Sequence, residues 1–402
     1  MKKTVVNENM YALGAKSSVI REIFEYGNKR RAEIGAENVF DFSLGNPSVP
    51  APEIVNETMK KLLDTKESVK LHGYTSAPGD LGVRSAIANY INESFGAGAS
   101  PADIYMTVGA AASLTVSLNA LLIPGQEVIA IAPFFPEYRV FVEKAGGALK
   151  VVKSRWEDFQ LDFDALDKAI NENTKAIIIN SPNNPSGAVL TEETIKGLAE
   201  LLEKKQAEYG TSIYIISDEP YRELVYGDIA VPYIPNYYSN TIVCYSFSKS
   251  LSIPGERIGY IFVSPKAECA KEIYLAVCGA GRALGFVCAP ALFQYIIPDC
   301  LGKTSDVSIY KKNRDLLYDT LGEYGFEAVH PDGAFYLFLK SPEADANAFC
   351  ERAKKYELLL VPSDSFGVEG YVRISYCVTT EQIERSLPAF KALAKEYDLL
   401  EK

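Results

Sequence analysis

The residue best suited to covalent chemistry in this chain is a lysine that follows an apolar segment. Lys249 lies in SFSKSLSIPGERIGY (Ser246–Tyr260), between two serines and eight residues before Arg257. A lysine amine beside hydroxyls and a guanidinium suits a phosphorylated carbonyl compound, because the amine attacks the carbonyl while the other groups bind the phosphate. A lone lysine in a loop is usually only solvated, but this loop joins two predicted strands. The segment therefore predicts a nucleophilic amine.

Two other apolar segments end in polar residues. SDEPY (Ser217–Tyr221) places Asp218 directly after an apolar run, and NSPNNPSG (Asn180–Gly187) places the amides of Asn183 and Asn184 in a rigid turn. Taken alone, the aspartate is better explained as a helix or turn cap, and the second segment simply as a turn. The alternative is a binding role, in which the Asp218 carboxylate emerges at the same edge of the sheet as Lys249 and the two amides lie at its mouth.

A fourth segment could bind an anion through its backbone. TVGAAAS (Thr107–Ser113) runs from a predicted strand into an apolar helix through Gly109 and small residues. Backbone N–H groups at a helix N-terminus can hold a phosphate, although such a helix start is common and is weak evidence by itself. The chain has no GxGxxG or GxxxxGK[ST] motif, which argues against a dinucleotide or nucleoside triphosphate site.

Short β-branched segments separated by helical patterns would position these residues. Strands are predicted at Ile104–Val108, Val128–Ala132, Leu149–Val152, Ala176–Asn180, Ile213–Ser217, Ile242–Tyr245 and Ile258–Val263. Helices are predicted between several of them, at Ala111–Leu122, Glu137–Ala145 and Glu192–Lys205. This alternation predicts an α/β fold with a mostly parallel seven-stranded sheet covered by helices. In such sheets, ligands bind beyond the carboxyl ends of the strands.

The pattern changes after about residue 290, where helical stretches surround two short predicted strands, Phe335–Leu339 and Tyr371–Ser375. This predicts a smaller α+β domain, and we expect the first forty or so residues to pack with it. The predicted division is a large domain over residues 46–289, which carries the site, and a small domain formed by 1–45 and 290–402.

Composition excludes several classes of function. The 402 residues carry a net charge of −11, which argues against a nucleic-acid surface or binding to anionic lipid. No apolar run approaches the roughly 18 residues that span a bilayer, and Asn7, Glu8 and Asn9 interrupt the start where a signal peptide is apolar. The seven scattered cysteines predict reduced thiols in a cytoplasmic protein. With only His72 and His330, we expect no metal site.

Taken together, the four segments resemble in order and spacing the class I/II aminotransferases of fold type I, an aspartate aminotransferase-like family that depends on pyridoxal 5'-phosphate. The similarity covers nearly the whole chain. It implies that Lys249 holds the cofactor as a Schiff base, that Asp218 pairs with the protonated pyridine nitrogen, and that Tyr221 bonds the ring's phenolate oxygen. The other cofactor residues it implies are Asn184 at the same oxygen, Phe135 stacked on the ring, and Gly109, Ala110, Ala111, Ser246, Ser248, Arg257 and Tyr74 at the phosphate.

The resemblance also implies how substrate binds and how subunits assemble. Arg373, in YVRISY (Tyr371–Tyr376), would bind the substrate α-carboxylate, since a planar guanidinium fork suits a carboxylate. Gly45, in FSLGNPSVP, and Asn184 would lie next to the substrate. Tyr74, in YTSAPGDLGVR, would reach the phosphate held by the neighbouring subunit, so that a homodimer would share its active sites.

Arg282, in GAGRALGF (Gly279–Phe286), lies near the position of the arginine that aspartate aminotransferases donate across the dimer. The flanking glycine and alanine predict a loop entering a cleft, where a second guanidinium fork would select aspartate, glutamate and their keto acids. A solvated or structural arginine is the equal alternative.

Two further observations concern the family. Many relatives have an aromatic or aliphatic residue at the position of Glu256, so this departure leaves the subfamily open. The segment PDGAFYLF (Pro331–Phe338) resembles the family, and we expect it to pack near the site.

The resulting expectation is a transaminase that moves an amino group between an α-amino acid and a 2-keto acid. A β-carbon–sulfur lyase or a cyclopropane-forming synthase on the same fold would keep the same cofactor residues and is the alternative within the enzymes. A ligand-sensing module of a transcription regulator would need a DNA-binding domain, for which we find no room. Retention of Lys249, Asp218 and Arg373 argues against a non-catalytic cofactor-binding module. The sequence leaves the amino donor and the keto acid acceptor open.

Overall fold

A computed structural model describes residues 5–15 and 18–401, apart from the side chain of residue 401. The parts of the predicted small domain at 1–4, 16–17 and 402 lie outside the described residues. The strands are β1 Phe40–Asp41, β2 Ile104–Thr107, β3 Glu127–Ala132, β4 Ala148–Lys153, β5 Thr174–Asn180, β6 Tyr214–Asp218, β7 Thr241–Ser246, β8 Gly259–Val263, β9 Tyr336–Lys340, β10 Leu358–Leu359, β11 Val361–Pro362 and β12 Tyr371–Ser375.

Seven strands form the large sheet in the order β2-β8-β7-β6-β5-β3-β4. Only β8 runs antiparallel to its neighbours, β2 and β7, while the other pairs are parallel. The predicted fold class is therefore confirmed, and each of the seven predicted strands agrees with an observed strand to within two residues at either end. β2, β6, β7 and β8 are buried along their whole length, which explains their continuous apolar sequences.

The α-helices are α1 Glu8–Ala15, α2 Val19–Ile34, α3 Glu53–Thr65, α4 Ser68–His72, α5 Leu81–Phe95, α6 Ala110–Leu121, α7 Glu137–Lys144, α8 Phe163–Ala169, α9 Glu192–Tyr209, α10 Phe247–Ser250, α11 Ala270–Ala283, α12 Ala291–Cys300, α13 Val307–Glu323, α14 Ala346–Ala353 and α15 Thr380–Glu396. Helices cover both faces of the large sheet. Ile178 and Ile216 pack in one apolar cluster with α6 and α11, whereas Ile177 and Ile215 pack in another with α8 and α9. Successive strand residues point to opposite faces, so both faces are buried. Within the described residues, no helix is long and apolar enough to cross a membrane.

A second, three-stranded antiparallel sheet has the order β11-β12-β9, and the two-residue strands β1 and β10 pair in parallel. The predicted strand at Phe335–Leu339 is β9, shifted by one residue, and the one at Tyr371–Ser375 is β12. The β1–β10 pair joins residues near the start of the chain to the C-terminal region. The domain division stays a prediction, since α12, which follows its boundary, packs against α3 and α5.

Candidate active site

The carboxyl ends of β5, β6 and β7 open into a cavity of about 310 Å³. This volume lies at the lower end of the range found for small-molecule sites. Twelve of the fifteen residues that the sequence nominates line it: Gly45, Ala110, Ala111, Phe135, Asn184, Asp218, Tyr221, Ser246, Ser248, Lys249, Arg257 and Arg373. Segments more than 300 residues apart in sequence, at Gly45 and Arg373, thus meet at one edge of the sheet.

Lys249 presents an amine whose pKa is lower than usual. It lies in the short helix α10 directly after β7, so the predicted loop is helical, and its Nζ donates to the Gly45 carbonyl at 2.6 Å. The pKa of Lys249 falls to about 8, mainly because the amine is buried. Cys377 opposes this fall, and the cations of Arg257 and Arg373 add smaller lowering effects. At pH 7 about a tenth of such an amine is uncharged and nucleophilic.

Asp218, the last residue of β6, has a carboxylate that is only half satisfied. Its Oδ2 accepts a hydrogen bond from the Tyr138 hydroxyl at 2.5 Å, while its buried Oδ1 has no hydrogen-bond partner. Burial raises the pKa of Asp218 to about 7, and the Tyr138 bond opposes that rise. The alternative of a turn cap is therefore wrong. A cationic N–H group in the cavity would satisfy Oδ1 and lower the pKa of the carboxyl.

The start of α6 provides a site for an anion. Gly109 precedes the helix with φ +94°, and no side chain caps the free N–H groups of the first turn. Gly109 does not line the cavity itself, but a Cβ at this position would lie 2.8 Å from Nη2 of Arg257. The Ser246 hydroxyl donates to the Ser248 hydroxyl at 2.8 Å, and both line the cavity. Free N–H groups, hydroxyls and a guanidinium together suit a phosphate.

Arg373, on β12, also lines the cavity. Its Nη1 donates to Oδ1 of Asn184 at 3.1 Å, and its Nη2 donates to the Ser43 carbonyl. The guanidinium is buried, and its Nε has no hydrogen-bond partner. Neutral acceptors hold the fork in place, and an incoming carboxylate would complete its hydrogen bonding.

These groups fit pyridoxal 5'-phosphate. The cofactor needs an amine for its aldehyde, an acid for its ring nitrogen and several donors for its phosphate. Lys249 offers the amine, the unpaired Oδ1 of Asp218 offers the acid, and the uncapped start of α6 with Arg257 offers the donors. No group of three or more histidine, cysteine, aspartate or glutamate residues in the described chain could hold a metal ion.

The sequence pattern of one family, "Aminotransferase class I and II", matches residues 37–390. The chain belongs to this family. The aminotransferase is 32% identical to an aspartate aminotransferase of Thermotoga maritima, over 92% of this chain and 95% of the relative. It is 29% identical to an aromatic-amino-acid aminotransferase of Thermococcus litoralis, over 95% of this chain and 97% of that one.

A solved structure agrees with these sequence relatives. The crystal structure of an amino transferase from Eubacterium rectale is 57% identical, with a TM-score of 0.97 over 98% of this chain and 100% of that chain. The predicted family and fold are therefore confirmed. The protein is an enzyme that transfers an amino group, and the lyase and synthase alternatives are not favoured.

Two nominated residues of the aminotransferase, Tyr74 and Arg282, lie outside its own cavity. Tyr74 is fully exposed. The prediction of a loop around Arg282 is wrong, because this exposed residue lies in the last turn of α11. Gln294 links the two regions, since its Nε2 donates both to the Thr75 hydroxyl and to the carbonyl of Ala289. Neither nominated residue lines the cavity that its own chain forms.

Asn183 has the structural role in a turn that its segment suggested. Its Oδ1 accepts from the backbone N–H and the hydroxyl of Ser186, which fixes the turn, and it does not line the main cavity. The neighbouring Asn180, not singled out from the sequence, does line it. Asn180 donates from Nδ2 to the Asp218 carbonyl at 2.9 Å and accepts from the Asn184 N–H at 2.8 Å. Asn180 could have been nominated from the sequence, because it is the last residue of a predicted strand.

Sequence reasoning also missed two tyrosines of the aminotransferase site. Tyr138 lies three residues after Phe135 and bonds Asp218. Tyr336, in the segment nominated only for packing, lines the cavity between Arg373 and Tyr221. Both are buried aromatic residues. Nothing in their sequence context separates them from ordinary core residues, which is why the pattern alone could not identify them.

Proposed function

We propose that this aminotransferase binds pyridoxal 5'-phosphate covalently at Lys249 and moves an amino group between an α-amino acid and a 2-keto acid. The observation that carries the proposal is the unpaired Oδ1 of Asp218 in the same cavity as the Lys249 amine and the Arg373 fork. The other residues proposed to hold the cofactor are Tyr221 and Asn184 at the ring oxygen, Phe135 on the ring face, and Gly109, Ala110, Ala111, Ser246, Ser248 and Arg257 at the phosphate.

The cofactor, when bound, supplies an electron sink for charge that develops at the substrate α-carbon. Arg373 binds the α-carboxylate through its planar fork and thereby orients the α-carbon. Nζ of Lys249 accepts the α-proton, and a pKa of about 8 suits a base that works near neutral pH. Asp218 holds the proton on the ring nitrogen through Oδ1, and Tyr138 fixes the carboxylate from the other side. Phe135 and Leu114 line the cavity with apolar surface and limit the access of water.

We further propose a homodimer in which Tyr74 completes the partner's phosphate site. Support comes from its complete exposure and its absence from its own cavity. Val69 and Leu81, within seven residues of Tyr74 in sequence, are exposed apolar side chains. Val287 is also exposed, and its neighbour Cys288 donates from Sγ to the Thr75 carbonyl. Single exposed apolar residues are ordinary, but several of them around one functional tyrosine suit a subunit interface.

The seven cysteines are all free in the structure, which supports a reducing, cytoplasmic setting.

Mixing inactive Lys249→Ala subunits with inactive Tyr74→Ala subunits should restore activity to about a quarter of wild type. Half of the randomly mixed dimers are hybrids, and each hybrid inherits one intact site of two. The matched control is a mixture of Lys249→Ala with Asp218→Asn, because both residues belong to the same chain's cavity and no hybrid site is intact. Steady-state rates after verified subunit exchange give the result. Equal recovery in both mixtures, or none in either, contradicts the shared site.

For the substrate, we propose a dicarboxylate whose distal carboxylate binds Arg282 of the partner subunit. Because the cations that line the chain's own cavity are Lys249, Arg257 and Arg373, the distal group needs a charge from elsewhere. Arg282 is exposed at the end of a helix and free to serve a second subunit. The aspartate aminotransferase relative supports this choice, and the aromatic-amino-acid relative is the competing indication.

Arg282→Ala should lower the ratio of kcat/KM for aspartate to that for alanine by at least about tenfold, the value of one charge-assisted hydrogen bond. Single-turnover half-reactions, followed by loss of the absorbance of the Lys249-bound cofactor, measure this ratio without a choice of keto acid. Arg139→Ala, which removes another exposed arginine from the surface, is the matched control. An unchanged ratio in Arg282→Ala would remove this residue from the site and leave the substrate class open.

A further inference from the structure

Tyr336 lies in the cavity with no role assigned so far. It is the first residue of β9, its side chain is buried, and its hydroxyl oxygen lies 3.0 Å from that of Tyr221. The two rings meet edge to face, with centroids 5.8 Å apart. A hydrogen bond between two buried phenols uses the proton of one and leaves the proton of the other free for a second acceptor.

A missing side chain at residue 45 makes room for this hydroxyl. A Cβ on Gly45 would lie 1.9 Å from the Tyr336 oxygen, closer than any real contact, so the phenol can occupy its position only beside a glycine. The carbonyl of the same glycine accepts from Lys249. The Tyr336 hydroxyl is therefore packed between the segment that holds the reactive amine and the tyrosine proposed to contact the cofactor.

The acceptor that each phenol can reach decides which of the two donates. Burial raises the pKa of Tyr336 to about 12 and that of Tyr221 well above its usual value, so both phenols keep their protons at neutral pH. The Arg373 guanidinium lies 4.7 Å from the centre of the Tyr336 ring and lowers the pKa of that tyrosine against the effect of burial. Arg373 lowers the pKa of Tyr221 as well, so the direction follows from the acceptors. In the proposed cofactor site Tyr221 gives its proton to the ring oxygen, and its own oxygen is left to accept from Tyr336.

We propose that Tyr336 is a positioning residue, whose hydroxyl donates to Tyr221 and thereby directs the Tyr221 O–H into the cavity toward the ring oxygen of the cofactor. Without Tyr336, the Tyr221 proton is free to rotate away from the cavity, and the donor to the ring oxygen weakens. A chain of two hydroxyls also strengthens the terminal donor, because each bond polarises the next. The inference rests on the proposed cofactor site.

The test is a pH titration of the absorbance of the Lys249-bound cofactor in the loaded enzyme, for wild type, Tyr336→Phe, Tyr221→Phe and the double variant. Loss of a donor leaves more negative charge on the ring oxygen, which favours the protonated form of the nearby lysine nitrogen. We expect the midpoint to rise in Tyr336→Phe, by less than in Tyr221→Phe. The double variant should match Tyr221→Phe, because Tyr336 acts only through Tyr221.

Tyr238→Phe is the matched control, because it removes another buried hydroxyl, bonded to the Ile213 carbonyl far from the cavity, and should leave the midpoint unchanged. Since Tyr336→Phe keeps its ring against Arg373, we also expect kcat to fall while KM for the amino acid changes little. A midpoint that does not move in Tyr336→Phe, or shifts that add in the double variant, would overturn the inference alone. Absence of a lysine-bound cofactor in wild type would overturn the proposed function and the inference together.

Discussion

Lys249→Ala should lower turnover by about 10⁴-fold or more, the upper range for loss of a general base, and should abolish the covalent attachment of the cofactor. The variant would lack both the amine proposed to bond the cofactor and the base proposed to move the α-proton. Its fold should persist, because the hydrogen bond that the side chain donates is the one to the Gly45 carbonyl. Steady-state assays measure the rate, and borohydride reduction followed by mass spectrometry of peptides locates the attachment.

Lys266→Ala provides the control for this prediction, because Lys266 is exposed beyond the end of β8 and should affect neither measurement. In the wild-type apoprotein, capture of the free cofactor should accelerate as the pH rises and level off above about 8, since the uncharged amine is the reactive form. Cofactor fixed by borohydride to Lys249→Ala would show that another lysine is the anchor.

The second large effect is expected for Asp218→Asn, which should reduce kcat by about 100-fold or more. A neutral amide cannot hold the proton on the ring nitrogen, so the ring loses its capacity to accept charge from the α-carbon. Asparagine keeps the shape of the side chain and an oxygen that accepts from Tyr138, so cofactor binding and folding should survive. Single-turnover half-reactions separate this chemical step from binding.

Tyr138→Phe is the companion variant for Asp218. It removes the hydrogen bond to Oδ2 but leaves the carboxylate and its charge in place, so its effect should be much smaller than that of Asp218→Asn. A loss of less than about tenfold in Asp218→Asn, or about 1.4 kcal/mol in the barrier, would contradict the role of Asp218 at the ring nitrogen.

The large sheet could be predicted because its strands are buried on both faces and therefore read as short apolar, β-branched runs. Asp218 and the turn that contains Asn184 could be placed at the ligand-binding edge because they follow such runs, and the family resemblance then nominated the two residues. The strands β1, β10 and β11 could not be predicted, since each has only two residues. The pairing of β1 with β10 depends on contact across more than 300 residues rather than on a local pattern.

The segment around Arg282 shows how a correct observation led to a wrong structure. Its glycines suggested a loop, but Gly281 lies inside α11, where a Cβ would come within 2.0 Å of the Tyr105 hydroxyl oxygen. This glycine serves close helix packing, and the helix continues to Ala283. One sequence does not distinguish a glycine needed for close packing from one needed for a turn. Tyr336 and Tyr138 were missed for a similar reason, because buried aromatic residues line both cores and cavities.

The cavity is lined by residues from Ile20 to Arg373, so most of the chain must be synthesised before all of its lining residues exist. A growing polypeptide contains Asp218 and Lys249 well before it contains β12, so the large sheet can assemble while the pocket still lacks one wall. If the proposed cofactor site is correct, pyridoxal 5'-phosphate would bind only after β12 has closed the pocket. Once bound, the ligand stabilises the native state as a whole by mass action, because β12 and the large sheet must stay together to hold it. Proteases that cleave unfolded chains would then degrade the apoprotein before the cofactor-bound protein.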